Sequence, residues 1–444
     1  MKKIFPSLPI MFRPMNKEIL RLAIPNIISN VSVPLLSSVD TALMGRLSDM
    51  HIGAVGIGSM IFNFIYWNFG FLRMGTTGMT AQAFGKKDDA YAALTLGRAI
   101  MVALLIALFF MIFQKPVLEL ANYLMHAEGE QASMINGYFK IRIWAAPATL
   151  CSFAMMGWFF GMQNAIFPLI WTIVTNVINI SANIYFVEFQ GMGVDGVALG
   201  TVLAQYGGLL SGIIMLLIKY KSVLSHIKLN LLAEWEALSR FLKINQDIFI
   251  RTVCLTFVFG FFQSESNQLG PEILAVNVIL LQFLNWMSYG VDGFAYAAES
   301  LVGKYFGADD KPGTKEAISK SFWWGMGMAL IFSLIYALFG KDLLKIFTNQ
   351  PEVIQAAIPF LFWMALVPFL GTPAYIWDGI FVGLTASKTM RNSMLLSLLV
   401  FILVYFATIH TYGNHGLWMA MISFLLARGI IQFGFYRWKG LEMR

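Results

Sequence analysis

The sequence predicts an all-α polytopic membrane protein, with twelve transmembrane helices in two pseudo-symmetric six-helix lobes. Three observations carry this expectation. The chain is 58% hydrophobic and 12% charged, with a mean hydropathy of +0.68, whereas an ordinary soluble domain carries roughly a quarter charged residues. Apolar runs about as long as a bilayer is thick recur along it, and in lipid each must be a helix, because an unpaired backbone group there has no water to turn to. Finally, the punctuation of the first half returns in the second at a spacing near 220 residues.

The first run, about 19–44, contains Pro25 and Pro34; each removes an amide donor and bends a helix, so both are candidate hinges. The second, 52–80, holds Arg73 inside Phe71–Gly78, and the third, 92–113, follows the polar turn Lys86–Asp89. The fourth, 133–161, closes on Gly157-x-x-x-Gly161. The fifth, 166–187, places Asn176, Asn179 and Asn183 on one helical face. The sixth, 195–218, starts beyond the turn Gly191–Gly196 and carries Thr201.

The one long hydrophilic connection, 219–243, is the seam between halves. Residues 1–221 are thus expected to form the N-terminal lobe, 222–242 a cytoplasmic linker with an amphipathic surface helix over Leu231–Leu238, and 243–444 the C-terminal lobe. The seventh run, 243–263, has Asp247 and Arg251 one turn apart, a spacing that predicts a structural ion pair. The eighth, 271–302, has Asp292 and Glu299 on one face. The ninth is 317–339. The tenth, 353–383, carries Pro368, Pro373, Asp378 and Gly379-x-x-x-Gly383, and the runs 390–410 and 415–437 complete the set.

The repeat is in register. Gly157 and Gly161 map onto Gly379 and Gly383 at a shift of 222, and Phe84–Asp89 onto Phe306–Lys311 at the same shift. Gly193–Gly196 meets Gly413–Gly416 at 220, and Ile52–Val55 meets Ile273–Val276 at 221. Transporter folds are built by such doubling, with the substrate site at the interface of the repeats.

Cations cluster before the first run, in the even-numbered connections and at the C-terminal end, which by the positive-inside rule places both termini in the cytoplasm; the cell (inner) membrane is the expected location. The net charge of +7 is therefore a topology signal, and nucleic acid is not an expected partner. No cleavable signal peptide is expected, since the first apolar segment is long and lacks a small-x-small exit. Cys151 and Cys254 both lie inside runs and form no disulfide framework. There is no phosphate-binding loop, no His-Glu-x-x-His and no nucleophile elbow, and the five histidines do not cluster. An enzyme is not expected, no cofactor is called for, and the energy source left is an ion gradient.

Charge inside hydrocarbon is costly and marks function. Two readings are open for Asp40: a carboxylate meeting water near the outer end of its helix, or one facing the lobe interior whose proton or bound cation drives transport. The amides of Asn176, Asn179 and Asn183 either tie helices together, at about 0.6 kcal/mol per bond, or offer oxygens to a cation or a protonated carboxyl. Asp292, Glu299 and Asp378 are candidates for substrate contact or for gating, with Arg73 a candidate counter-charge.

Asp40 within Val39–Gly45, Phe71–Gly78, Gly191–Gln205, Asp247–Thr252 and Asp292–Glu299 together resemble the multidrug and toxic compound extrusion (MATE) family, and within it the DNA-damage-inducible protein F-like branch. The resemblance covers all twelve runs. It implies an antiporter that expels organic, often cationic, compounds against inward proton or sodium flow by alternating access. The family's cation site maps onto Asp40, Asn179, position 183 and Thr201. The chain departs from the commoner pattern by having Asn183 where an aspartate is usual, which favours protons as coupling ion and leaves Na+ at those four residues as the alternative. A lipid-linked precursor flippase of the same superfamily is a further alternative, against which stand the twelve runs and few cations inside them. Small organic substrates and the lipid bilayer are the expected partners, and the chain is expected to act as a monomer.

Overall fold

The computed structural model describes residues 14–44, 49–125 and 129–441. Within these, the side chains of residues 33–42, 44, 49, 124 and 125 lie outside the description, so those of Pro34 and Asp40 do too. Every regular element among the described residues is helical. Twelve helices or bent helix pairs are long enough to cross a bilayer at about 1.5 Å per residue. They are α1 Pro14–Met44, α2 Met50–Lys86, α3 Asp89–Ile112, α4 Gly129–Gly161, α5 Ile166–Phe189 and α6 Gly193–Leu224, then α7 Trp235–Gln268, α8 Pro271–Gly307, α9 Lys311–Phe347, α10 Pro351–Gly383, α11 Ser387–Tyr412 and α12 Asn414–Lys439. The chain is a multi-pass membrane protein.

The helices form two compact units. One is Ile28–Leu242; the other joins Met1–Ile27 to Lys243–Arg444. α1 thus contributes its first part to one unit and its remainder to the other. Within the first unit α5 packs on α6, and α4 on α2 and α3; within the second α11 packs on α12, and α10 on α8 and α9. These are the same pairings, displaced by six helices.

The register of the repeat recurs in the backbone. A Cβ on Gly157 would overlap the carbonyl of Arg73, and one on Gly379 would overlap the carbonyl of Ala295, so α4 on α2 and α10 on α8 both depend on a bare glycine. At Gly161 a Cβ would meet the Thr80 side chain and the Thr77 carbonyl, and at Gly383 the Glu299 carbonyl. Each of these pairs is separated by the shift of 222. Left-handed residues follow suit: Lys87 (φ 58°) with Asp309 (φ 57°), and Gln163 (φ 60°) with Thr385 (φ 53°). So do the caps that start the next helix, where Asp88 accepts from the Tyr91 amide and Asp310 from the Gly313 amide, both at 2.9 Å.

Two elements differ from the sequence expectation. α2 is broken at Phe69–Gly70, where the Asn68 amide donates to the Phe64 carbonyl at 2.8 Å and competes for an acceptor near the helix end. The linker helix is not continuous over Leu231–Leu238: a single turn, Leu229–Leu232, stops and α7 begins at Trp235. The cause is Arg98 of α3, almost fully buried, whose Nη2 donates to the Leu231 carbonyl at 2.8 Å and whose Nε donates to the Leu232 carbonyl at 3.4 Å. A cation on the last carbonyls of a helix satisfies groups that have no partner within it.

Candidate ion-coupling and substrate sites

In the Ile28–Leu242 unit, α5 and α6 pack so closely at Gly200 that any side chain there would run into the Asn183 side chain. This contact buries a polar ladder. Asn183 Nδ2 donates to Asn179 Oδ1 at 3.1 Å, Asn179 Nδ2 donates to Thr201 Oγ1 at 3.2 Å, and the Thr201 hydroxyl donates to the Val197 carbonyl at 2.8 Å. Asn179 and Asn183 are both buried. Three of the four residues expected to hold the coupling ion therefore stand together; the fourth, Asp40, has its side chain outside the described residues. Asn176 is not part of the ladder, and its Nδ2 donates to Ser32 of α1 at 3.2 Å. The ladder runs from amide donors towards a backbone acceptor, with a carbonyl oxygen at its head, a chemistry suited to a protonated carboxyl or a bare cation. Among the described residues no group of three His, Cys, Asp or Glu could hold a metal ion.

The other unit is built differently. Asp378 sits on α10 after Pro368 and Pro373 and is 5% exposed. Its Oδ2 accepts from Arg251 of α7 and from Arg428 Nη2 of α12, the latter at 2.6 Å, while its Oδ1 accepts from Gln432 Nε2 at 2.6 Å. Arg428 and Gln432 lie one turn apart and are 1% exposed, and Arg428 also stacks over Tyr375 with its guanidinium carbon 5.8 Å from the ring centre. Buried charges persist when paired and hydrogen-bonded, and both oxygens of Asp378 are occupied. Asp292 of α8 is half-buried. Glu299 is buried where α8 meets Gly383. Arg73, the expected counter-charge, has its guanidinium carbon 6.0 Å from the centre of the Phe160 ring.

The expected pair between Asp247 and Arg251 does not form. Asp247 accepts from Arg391 Nη1 at 2.6 Å and from the Ser387 hydroxyl at 2.9 Å, both on α11, while Arg251 goes to Asp378. Two residues one turn apart share a face, but an exposed pair of that kind is worth only about 0.2–0.5 kcal/mol, and neighbouring helices supply better-placed partners. Three arginines, Arg98, Arg251 and Arg428, are buried. Arg428 was detectable as a charge in the middle of the twelfth apolar run. Exchanging Asp247 and Arg251 together is therefore expected to be more damaging than either Asp247→Asn or Arg251→Gln, because it sets an arginine against Arg391 and a carboxylate against Asp378. Membrane-inserted yield and thermal midpoint in detergent check this; a double exchange milder than both singles would restore the pair.

A family model described as MatE matches residues 25–185 and again 248–407. DNA damage-inducible protein F of Escherichia coli (strain K12) is 34% identical over 419 residues, which cover 94% of this chain and 90% of that protein. Among solved structures, a MATE protein in a bent conformation superposes with a TM-score of 0.88 at 19% identity, covering 96% of this chain and 95% of that one. An outward-facing multidrug resistance MATE family transporter of the MOP superfamily superposes at 0.87 and 19%, covering 96% of each.

Proposed function

The chain belongs to the MatE family, and from that premise we propose that it is a secondary active antiporter of the cell inner membrane, exporting lipophilic organic cations in exchange for protons by alternating access between its two lobes. The observation that carries this reading is the buried ladder of Asn183, Asn179 and Thr201, set on helices that follow the Asp40-bearing α1 in the same half of the repeat. An acid whose mapped partners are neutral amides favours a proton over sodium, because a lone carboxylate can bind and release H+ without a second charge. Na+ at Asp40, Asn179, Asn183 and Thr201 is the competing reading, supported by the oxygens those residues offer. With the cations of the even connections inside, both termini lie in the cytoplasm. The cycle needs no cofactor beyond its coupling ion, and a monomer carries the whole of it.

Expression in an efflux-deficient host is expected to lower steady-state accumulation of ethidium. A protonophore should abolish the effect, and replacing sodium by potassium should leave it. Strict sodium dependence at a constant pH gradient would overturn proton coupling. Unchanged accumulation across a broad panel of organic cations, with the protein shown to be in the membrane, would overturn multidrug export itself.

A further inference from the structure

The unit that joins Met1–Ile27 to Lys243–Arg444 contains a cleft of about 830 Å³, within the size range of small-molecule sites. Leu20, Ile24 and Ile27 give it one wall on α1, at a spacing that keeps them on one face. Five of the other eleven lining residues are aromatic. Phe294 of α8 lies parallel to Trp324 of α9, with centroids 6.1 Å apart and planes 8° apart, and Trp323 meets Trp324 edge-on at 4.9 Å and 89°. Trp324 is fixed, since its Nε1 donates to the buried Asn16 at 3.2 Å. Trp323 is 54% exposed and Phe369 of α10 52%, so the rim stands open. Ser319 is the one side-chain hydroxyl among the lining residues.

An opening walled this way meets acyl chains rather than water. Its contents can be read from its rings. An acyl chain would use only the apolar area, whereas a flat aromatic cation also uses edge and face geometry and the negative faces of the two indoles, which attract a cation without any carboxylate. Met326 and Met328 add side chains that adapt to different shapes. We propose that this cleft is a collecting site for planar, lipophilic aromatic cations taken up from the bilayer, separate from the amide ladder of the other unit. The proposal rests on the export function above and gives it a substrate class. Pro25 lies between Ile24 and Ile27, so a bend of α1 at that residue would change the width of the cleft.

Gly327 makes the test clean. It lines the cleft, and a Cβ there meets no atom within 4 Å, so the side chain of Gly327→Leu starts into open space at the cleft and suits a helix better than glycine does. Gly260 of α7 is equally open and outside the cleft, so Gly260→Leu is the control. Purified protein is titrated with ethidium and photolabelled with ethidium monoazide, and adducts are mapped by peptide. Wild type and Gly260→Leu should label within residues 319–331. Gly327→Leu should bind ethidium more weakly by about tenfold or more, with a thermal midpoint no lower than wild type. If wild type exports ethidium in cells and Gly327→Leu binds and labels like wild type, the cleft is refuted and export stands. If oleate competes as well as unlabelled ethidium, the cleft is an acyl-chain groove and the proposal falls. If wild type neither binds nor exports ethidium, the cleft proposal falls, and the export reading is decided by the broad panel of organic cations.

Discussion

Asp378→Asn is expected to destabilise the protein by about 3–5 kcal/mol, the cost of leaving a buried charge without its partner. Here two guanidiniums, of Arg251 and Arg428, would lose their shared carboxylate at once. The new amide nitrogen would also face donors, because Arg251, Arg428 and Gln432 all donate to Asp378. The thermal midpoint in detergent should fall by roughly 6–20 °C on the scaling of a unit this size. Replacing the triad together, as Arg251→Met, Asp378→Leu and Arg428→Met, should recover much of that loss, since apolar residues of similar volume often substitute for a buried ion cluster without net cost. An unchanged midpoint in Asp378→Asn would mean that the cluster does not hold α7, α10 and α12 together. Loss of transport at normal stability would instead assign Asp378 to the substrate.

Asp40→Asn has the opposite signature. Energised ethidium export should drop to background while insertion, thermal midpoint and ethidium binding stay near wild type, because the change keeps size and hydrogen-bonding capacity and removes only the titratable charge. The amides of Asn183 and Asn179 already bond along a ladder that passes through Thr201 to the Val197 carbonyl, so in the proposed cycle a proton arriving at Asp40 would change the bonds α1 can make while α5 and α6 stay together. An energy difference of about 1.4 kcal/mol suffices to shift two bends of α1 tenfold. Normal export by Asp40→Asn at matched membrane levels would remove both the coupling site and the switch.

The parts of this architecture that depend on one helix at a time were legible in the sequence. Hydropathy located the spans, and glycine spacing located the repeat, because Gly157 and Gly379 must stay bare for their helices to pack. The ladder was legible as well, since Asn179 and Asn183 are one turn apart and their partner Thr201 lies just past a short turn. What depends on three helices meeting was not. Asp247 and Arg251 look like a pair along α7, and only the placement of Arg391, Asp378 and Arg428 separates them. The break in the linker helix was hidden for the same reason: its cause, Arg98, is 133 residues away from the carbonyl it takes.

The division of α1 between the two units bears on how the chain is made. Asn16, with no exposed surface, bonds Trp324, 308 residues downstream, and Glu18 bonds Lys304, 286 residues downstream. At a synthesis rate of about 5–20 residues per second, the first turns of α1 wait roughly 15–60 s for these partners, at the end of α8 and on α9, while α2 to α8 are made. The N-terminal half can therefore close before the unit that owns the start of the chain exists, and assembly of the second unit must recruit a segment that has been in the membrane since the beginning of translation.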